Sequence, residues 1–354
     1  MRFVLIFLLL PSLLFAQKDS TRDFSIIPLP VIFQSPETSF GFGIGAFSAF
    51  RFKNQGPEDR SSSLQLGGAY TLNKQFLSYL PFDIYLGQNA ENYLKGEVGY
   101  YKYFYYYWGV GGNSQDSSQE RFDVNFPRFD FNFLKARNDN LFLGPRFYAE
   151  NYQVVQREDG GLLDQATVVG SSGGWSNGLG AALNYDTRDH LFFPRNGWRV
   201  DASILWFNGI FGSDFHFLKS AFDVSYYLPI GDRSALGFNL YQEYNFGEVP
   251  FNQMSMIGGS RKHRGYYKGR YRDHHMLELQ AEVRFPVFWR CGAVLFAGIG
   301  DVWGQSALDL GNLKWNLGIG GRFMLDRSRK VNARGDLGFG KGQYGTYITV
   351  GEAF

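Results

Sequence analysis

The sequence predicts an all-β protein, a transmembrane antiparallel β-barrel, and three observations support this fold class. Of the 354 residues, 44 are glycine and 18% are aromatic, and glycine costs roughly 1 kcal/mol per position in a helix relative to alanine. Apolar and polar residues alternate with period two from about residue 39 to residue 354, which is the periodicity of strands. The alternating segments are about 9 to 13 residues long, the length of a tilted strand that crosses a bilayer.

Residues 1–16 have the pattern of a secretory signal peptide. Met1 and Arg2 give a short basic start, residues 3–10 are apolar, and Ala16 is the small residue before the expected cleavage site. The alternative is an N-terminal membrane anchor, but the apolar run is shorter than the ~20 residues of a spanning helix. We expect residues 17–23 to be a short periplasmic lead and residues 24–354 to form the barrel.

The charge composition excludes two classes of protein. The chain has 35 Lys and Arg against 33 Asp and Glu, a formal net charge of +2. A general nucleic-acid binder needs a strongly basic face, and disordered chains contain few aromatic residues. We therefore expect no nucleic-acid partner and a folded chain.

The two faces of the predicted strands differ in polarity, which separates a membrane barrel from a soluble β-sandwich. A sandwich also alternates, but its strands average about 5–6 residues and its outward face is polar. In a membrane barrel the lipid-facing side is apolar and the lumen is polar. The residues predicted to face lipid are Leu279, Val283, Trp315 and Leu317, and those predicted to face the lumen are Glu278, Glu282, Lys314 and Arg322.

Fifteen or sixteen spans can be marked, and sixteen is the even number with which single-chain bacterial barrels close. A barrel of this size is too wide to be filled by its own inward side chains, so its lumen is either open to water or plugged. Most connections are short, but residues 248–273 form a long one. Six Lys and Arg lie between Arg261 and Arg272. Composition leaves three interpretations open: a solvated surface loop, a site for an anionic partner, or insertion into the lumen.

Three motifs resemble those of the BamA-like outer-membrane assembly superfamily. The string GGSRKHRGY at residues 258–266 resembles its GG…RGY signature, and EVRFP at residues 282–286 is similar to its E-x-R-x-P strand. Five predicted strands follow the RGY loop, as in that family's 16-stranded barrel. The strand-turn element D-[ST]-R-D…P…G is matched by Asp186, Arg188, Asp189, Pro194 and Gly197.

The resemblance implies that the long loop folds into the lumen. Its motif residues would be Gly258, Gly259, Arg264, Gly265 and Tyr266. Arg264 would be the central cation, with lumen-wall partners among Glu278, Glu282 and Asp301. Gly298 stands where the family's second carboxylate is expected, and Asp301 follows three residues later. Residues 17–23 leave no room for POTRA repeats, so we expect a member without them.

The function that the resemblance implies is assistance in the insertion or translocation of outer-membrane proteins, within a complex in the cell outer membrane. The expected partners are outer-membrane lipids and lipopolysaccharide, client outer-membrane proteins, and other periplasmic or outer-membrane proteins. The alternative is a passive plugged channel or a structural subunit without insertion activity.

Enzyme hypotheses have little support in the sequence. Residues 170–174 match G-x-S-x-G, but a nucleophile elbow requires this turn between a buried strand and a helix. Adjacent His274 and His275 would point to opposite faces of a strand, which does not suit joint metal ligation. We therefore expect no catalytic residue, no metal and no cofactor.

The chain ends in an aromatic residue, Phe354. Substrates of outer-membrane assembly usually end in this way, so we expect Phe354 to be a C-terminal signal. The last strand is predicted from Tyr344 to Phe354. Glu352 is on the same face as Phe354 and is expected at the membrane interface.

Overall fold

The structure is a computed structural model that describes residues 24–36, 38–56, 59–87, 90–165, 167–304, 307–327 and 330–354. The predicted signal peptide at residues 1–16 and the predicted lead at residues 17–23 lie outside the described residues. None of the helical segments in the described part of the chain is long and apolar enough to cross a membrane.

Sixteen antiparallel strands follow one another in chain order around a single sheet, which confirms the predicted fold class and strand number. Two further short strands lie within the long connection between the eleventh and twelfth strands of this sheet. The strands are β1 (Phe24–Ser35), β2 (Ser39–Phe50), β3 (Ser62–Thr71), β4 (Phe76–Leu86), β5 (Asn92–Tyr107), β6 (Glu120–Ala136), β7 (Leu141–Arg157), β8 (Gly174–Asp186), β9 (Gly197–Phe207), β10 (Phe217–Ile230), β11 (Ser234–Gly247), β12 (Ser255–Ile257), β13 (Tyr271–Asp273), β14 (His275–Phe288), β15 (Cys291–Trp303), β16 (Lys314–Asp326), β17 (Val331–Gly340) and β18 (Gln343–Val350).

The period-two alternation separates a lumen face from a lipid face, as predicted. In β14, Glu278 and Glu282 are fully buried in the lumen, whereas Leu279 between them is 46% exposed on the outer surface. In β16, Lys314 is buried, whereas Leu317 is 50% exposed. Because successive side chains of a strand point to opposite faces, Val283 lies on the lipid face with Leu279.

The two ends of the barrel differ in the length of their connections. The connections 108–119, 158–173, 208–216 and 248–274 share one end, whereas the tight turns 231–233 and 289–290 lie at the other. In outer-membrane barrels the long loops are extracellular and the short turns periplasmic. The end that bears the long basic loop is therefore the extracellular end.

Aromatic side chains of the wall pack against the extracellular loops. Phe251 of the long loop is fully buried against Tyr107, Phe122 and Tyr152 of the wall. The same loop contains the small two-stranded sheet of β12 and β13, which the alternation pattern does not predict. The loop is thus a packed element and not a solvated excursion.

The end of the chain differs from the prediction. β18 ends at Val350, and Gly351 adopts a φ of +89°, a left-handed conformation that ends the strand. Glu352 then accepts a hydrogen bond of 2.7 Å from Nε of Arg322 inside the barrel. The placement of Glu352 at the membrane interface is therefore wrong, because a buried arginine pairs with it in the lumen.

Phe354 also points into the barrel. Its side chain is 6% exposed and packs with Tyr227 and Ala353 in a small buried cluster. The last strand is thus shorter than the predicted range of Tyr344 to Phe354. A role of Phe354 as an assembly signal stays a prediction.

We predict that Val283→Arg destabilises the barrel, because Val283 lies on the lipid face near the middle of β14. Arginine on the lipid face near the bilayer midplane costs about 2–4 kcal/mol. Urea titration of the barrel folded into liposomes would measure this loss of unfolding free energy. Val283→Leu is the matched control and should keep the wild-type midpoint. Equal stability of the arginine and leucine variants would contradict the assigned orientation.

Candidate functional site: the lumen loop

The long basic loop leaves β11 at the extracellular end and folds back into the lumen before β14 begins. Gly258 and Gly259 make the reversal, with φ angles of +104° and +111°. A Cβ atom on Gly258 would lie 2.3 Å from the carbonyl oxygen of Tyr267, a distance that no side chain permits. Glycine at this position is therefore required by both the backbone conformation and the close approach.

Arg264 lies at the centre of the loop and is completely buried. Its Nη2 donates a hydrogen bond of 2.9 Å to Glu282 Oε2, and its Nη1 donates one of 2.7 Å to Asp336 Oδ2. The guanidinium carbon lies 3.6 Å from the centre of the Phe296 ring. Two carboxylates and an aromatic face therefore hold one cation, a favourable environment for a planar guanidinium.

The contact between Arg264 and Glu282 is the one that the family resemblance implies, whereas the second carboxylate is a different residue from the one expected. Asp301 does not contact Arg264; its carboxylate binds Nζ of Lys314 at 2.7 Å near the extracellular end of β15. The second partner is Asp336 of β17, two strands further along the sheet. The expectation for Asp301 is wrong because the wall position opposite the arginine belongs to another strand.

A sequence signal for Asp336 exists in the alternation of β17. Arg334, Asp336, Gly338 and Gly340 share the inward face of this strand. Asp336 is the one carboxylate on that face, so it could have been proposed as a lumen-wall group. Its choice of partner could not, because strand periodicity does not tell which loop residue lies opposite.

The pair extends into a network of buried charges. Arg284 Nε donates to Glu282 at 2.6 Å, and Arg322 Nη1 donates to Asp336 at 2.6 Å. The guanidinium groups of the network belong to Arg264, Arg284, Arg322 and Arg334, and its carboxylates belong to Glu282, Asp336 and Glu352. Near balance of charge is what allows so many ionised groups to lie away from bulk water.

Glu278 contacts the backbone of the loop and not its central cation. Its carboxylate accepts a hydrogen bond from the backbone N–H of His263. His263 is fully buried and adopts a φ of +46°, an uncommon conformation for a residue with a side chain. Glu278 and Glu282, four residues apart on the inward face of β14, thus bind consecutive residues of the loop.

Gly265 and Tyr266 place the tip of the loop against β16, β17 and β18. The N–H of Gly265 donates to the hydroxyl of Tyr347 at 3.0 Å, and a Cβ on Gly265 would lie 2.9 Å from the backbone of Gly338. The Tyr266 hydroxyl donates to the carbonyl of Trp315 at 3.1 Å. The loop backbone and the β17 backbone therefore approach so closely that neither Gly265 nor Gly338 could carry a side chain.

The remaining cations of the loop also contact the protein. Nη2 of Arg270 lies 2.5 Å from the Asp116 carboxylate in the extracellular connection between β5 and β6. Arg261 Nε donates to the carbonyl of Ala353 at 3.1 Å. The ammonium of Lys262 lies over the ring of Tyr241 on the wall. Of the three interpretations of the loop, insertion into the lumen is the one that these contacts favour.

The strand-turn motif lies at the opposite, periplasmic end. Arg188 donates to both oxygens of Asp186, at 2.9 and 2.7 Å, and both side chains are nearly buried. Pro194 is buried, and its carbonyl lies 3.5 Å from Nη1 of Arg284, the arginine that also binds Glu282. The structure thus brings two of the sequence motifs together through Arg284.

Asp189 and Gly197 fix the shape of that turn. The Asp189 carboxylate accepts hydrogen bonds from the backbone N–H groups of Arg195 at 2.9 Å and Asn196 at 3.1 Å. Gly197 has a φ of +104°, and a Cβ there would lie 2.3 Å from the carbonyl oxygen of Thr187. The turn therefore requires a carboxylate at position 189, which binds two backbone N–H groups, and a glycine at position 197, where a side chain would collide with the backbone.

The residues of the enzyme hypotheses are not arranged for catalysis. Ser172 lies in the extracellular connection that leads directly into β8. The His274 ring lies 3.1 Å from Asp273, whereas the His275 ring packs on Tyr244 and Trp303. In the described part of the chain no group of three or more His, Cys, Asp or Glu side chains is placed to hold a metal ion.

The family model described as the Omp85 superfamily domain matches residues 28–325. The chain belongs to the Omp85 superfamily. It is accordingly an outer-membrane β-barrel. No curated protein sequence matches the chain significantly.

Solved structures of Omp85-type barrels resemble the fold. BamA from Haemophilus ducreyi lacking POTRA domains 1-3 is 13% identical, with a TM-score of 0.58 over 93% of this chain and 70% of that one. CdiB from Acinetobacter baumannii is 13% identical, with a TM-score of 0.57 over 93% of this chain. CdiB from Escherichia coli is 13% identical, with a TM-score of 0.58 over 92% of this chain. The match spans 60% and 62% of the two CdiB chains, and at this identity the likeness concerns the fold alone.

We predict that Arg264→Ala lowers the free energy of unfolding by about 3 kcal/mol. Breaking a buried ion pair costs about 3–5 kcal/mol, and the lower value is expected because Arg284 and Arg322 still contact the two carboxylates. The measurement is urea unfolding in liposomes together with heat-resistant migration on gels. Lys341→Ala, which removes an exposed extracellular cation, should behave as wild type. Wild-type stability of Arg264→Ala would contradict the role assigned to this arginine.

Proposed function

We propose that this Omp85 barrel assists the insertion or translocation of outer-membrane proteins, acting together with protein partners. The observation that carries the proposal is the seam between β1 and β18. The sheet order begins with β1 and ends with β18, and no backbone ladder joins the described residues of these two strands. A side-chain hydrogen bond between Gln34 and Thr346 crosses the seam.

An unladdered seam has a direct physical consequence. Backbone N–H and C=O groups cannot remain unpaired in the hydrocarbon region, so barrels normally close completely. Strands with free edges are templates for the addition of another strand. A client strand that enters the membrane could pair with β1 or β18 until its own barrel closes.

The plugged lumen supports the same function. Arg264 and its carboxylates keep the loop inside the barrel, so the seam can open towards lipid without creating a wide aqueous leak. The exposed apolar outer face would contact outer-membrane lipids, and the extracellular rim would contact lipopolysaccharide. Clients would be delivered by periplasmic or outer-membrane proteins that bind the barrel. In this mechanism the residues of the chain position and pair strands and catalyse no covalent chemistry.

A passive plugged channel or structural subunit is the second candidate, and the densely bonded loop favours it. A lumen filled by buried ion pairs is also what a permanently closed barrel would contain. The two candidates differ in whether the seam must open.

We predict that the purified barrel in liposomes accelerates the folding of an added, urea-unfolded outer-membrane protein relative to empty liposomes. Heat-resistant migration of the client over time gives the folding rate. Oxidised Gln34→Cys/Thr346→Cys, in a Cys291→Ser background, should lose this acceleration because the disulfide ties β1 to β18. Reduction of the disulfide should restore it.

The matched control is Leu337→Cys/Thr346→Cys in the same background. Leu337 and Thr346 are register partners in the ladder between β17 and β18, so their disulfide leaves the seam free. This variant should stay active when oxidised. No acceleration by the wild-type barrel would favour the passive candidate, and full activity of the oxidised seam variant would contradict a seam-dependent mechanism.

A further inference from the structure

The connection between β8 and β9, residues 187–196, reaches across the periplasmic mouth of the barrel. Phe192, in the middle of this turn, packs on Phe47 of β2 with the two ring centres 5.6 Å apart and the rings nearly perpendicular. β8 and β2 are the eighth and second strands of the sheet. The contact therefore joins opposite sides of the barrel and not neighbouring strands.

Phe192 packs against a cluster of side chains that spans the seam. It packs against a buried cluster formed by Phe47 and Ala49 of β2 and by Val331 of β17, which are 5%, 0% and 4% exposed. β2 is the neighbour of β1, and β17 is the neighbour of β18. The cluster on which this aromatic ring packs thus joins side chains from both sides of a seam that has no backbone ladder in the described residues.

The turn holds Phe192 in this position through His190. Nδ1 of His190 lies 3.3 Å from the backbone N of Phe192 and 3.4 Å from that of Phe193, and it accepts hydrogen bonds from both. Burial and the neighbouring charge of Lys330 lower the pKa of His190. The lowered pKa favours the neutral ring, which has the lone pair that these bonds need.

Arg284 connects the turn with the rest of the lumen. Its guanidinium contacts the carbonyl of Pro194 at 3.5 Å, the carbonyl of Phe354 at 2.9 Å and the carboxylate of Glu282 at 2.6 Å. Glu282 also binds Arg264 of the extracellular loop. A continuous chain of contacts therefore runs from the extracellular loop to the periplasmic turn and to the end of the polypeptide.

We propose that residues 187–196 form a clasp that holds the periplasmic end of the seam closed, with Phe192 as its positioning residue. Opening of the seam separates β2 from β17, which exposes Phe47, Val331 and the Phe192 ring to water. Exposure of this apolar surface is unfavourable, so the cluster opposes separation where backbone hydrogen bonds do not. The clasp requires no client and no partner, and it is independent of the proposed insertion activity.

Distance measurements between spin labels across the seam test the clasp directly. Ile26 and Val350 lie near the periplasmic ends of β1 and β18 and are 57% and 49% exposed, so cysteines there accept labels without disturbing the lumen. In a Cys291→Ser background in liposomes, the labelled barrel should give one narrow distance distribution. Phe192→Ala should add a population at longer distances, because the cluster between β2 and β17 loses the ring that packs against it.

Leu191→Ala is the matched control, since Leu191 belongs to the same turn but lies outside the cluster. It should give the unmodified distribution. A Phe192→Ala barrel that is folded and has the unmodified distribution would overturn the proposal, as would equal broadening by Leu191→Ala. If Phe192→Ala does not fold, Phe192→Leu replaces it in the same measurement. The clasp predicts a partly broadened distance distribution for Phe192→Leu, and an unmodified distribution would overturn the proposal. The distance measurement uses the barrel alone, so its result does not depend on whether the barrel accelerates the folding of a client protein.

Discussion

The buried guanidinium of Arg264 is the interaction on which the arrangement of the lumen depends. An isolated charge in such a place would be strongly unfavourable, so the wall must present carboxylates to it. Glu282 and Asp336 do so from strands on either side of β15 and β16, which fixes the depth and rotation of the loop. The glycines of the loop tip and of β17 then follow, because the two backbones must approach closely for these bonds to form.

The strands themselves could be predicted from the sequence because alternation is a local property. Leu279 and Glu282 could be assigned to opposite faces without any knowledge of neighbouring strands, and the structure agrees. The contact of Arg264 with Glu282 was expected only through the family resemblance. The expectation for Asp301 is wrong because the resemblance places the second carboxylate on β15, where Gly298 stands, whereas the carboxylate opposite the arginine is Asp336 of β17.

The inward course of the chain end could not be predicted in the same way. The terminal Phe354 favours a strand that continues to the last residue, although Glu352 interrupts the apolar face on which Val350 and Phe354 would lie. The conformation of Gly351 and the pairing of Glu352 with Arg322 override that pattern, because a buried arginine already bound to Asp336 gains a second carboxylate. Tertiary electrostatics decides here over local propensity. The clasp contacts of Phe192 are likewise invisible in the sequence, since they join residues that are far apart along the chain.

The two ends of the lumen are linked through shared side chains. Glu282 binds the extracellular loop through Arg264 and the periplasmic turn through Arg284. Displacement of the loop would remove Arg264 from Glu282 and so alter the contact of Glu282 with Arg284, which binds the periplasmic turn that contains Phe192. A barrel whose first and last strands were joined by backbone hydrogen bonds would not need these side-chain contacts to hold it closed.

A double-mutant cycle on Arg264 and Asp336 tests the central claim most directly. The unfolding free energies of wild type, Arg264→Ala, Asp336→Ala and the double variant would be measured by urea titration in liposomes. Residues of one ion-pair network couple by about 0.5–3 kcal/mol, whereas independent sites add within about 0.3–0.5 kcal/mol. The account predicts a coupling of at least about 1 kcal/mol, with the double variant less destabilised than the sum of the single variants. Additive losses would contradict the claim that this pair holds the loop in the lumen.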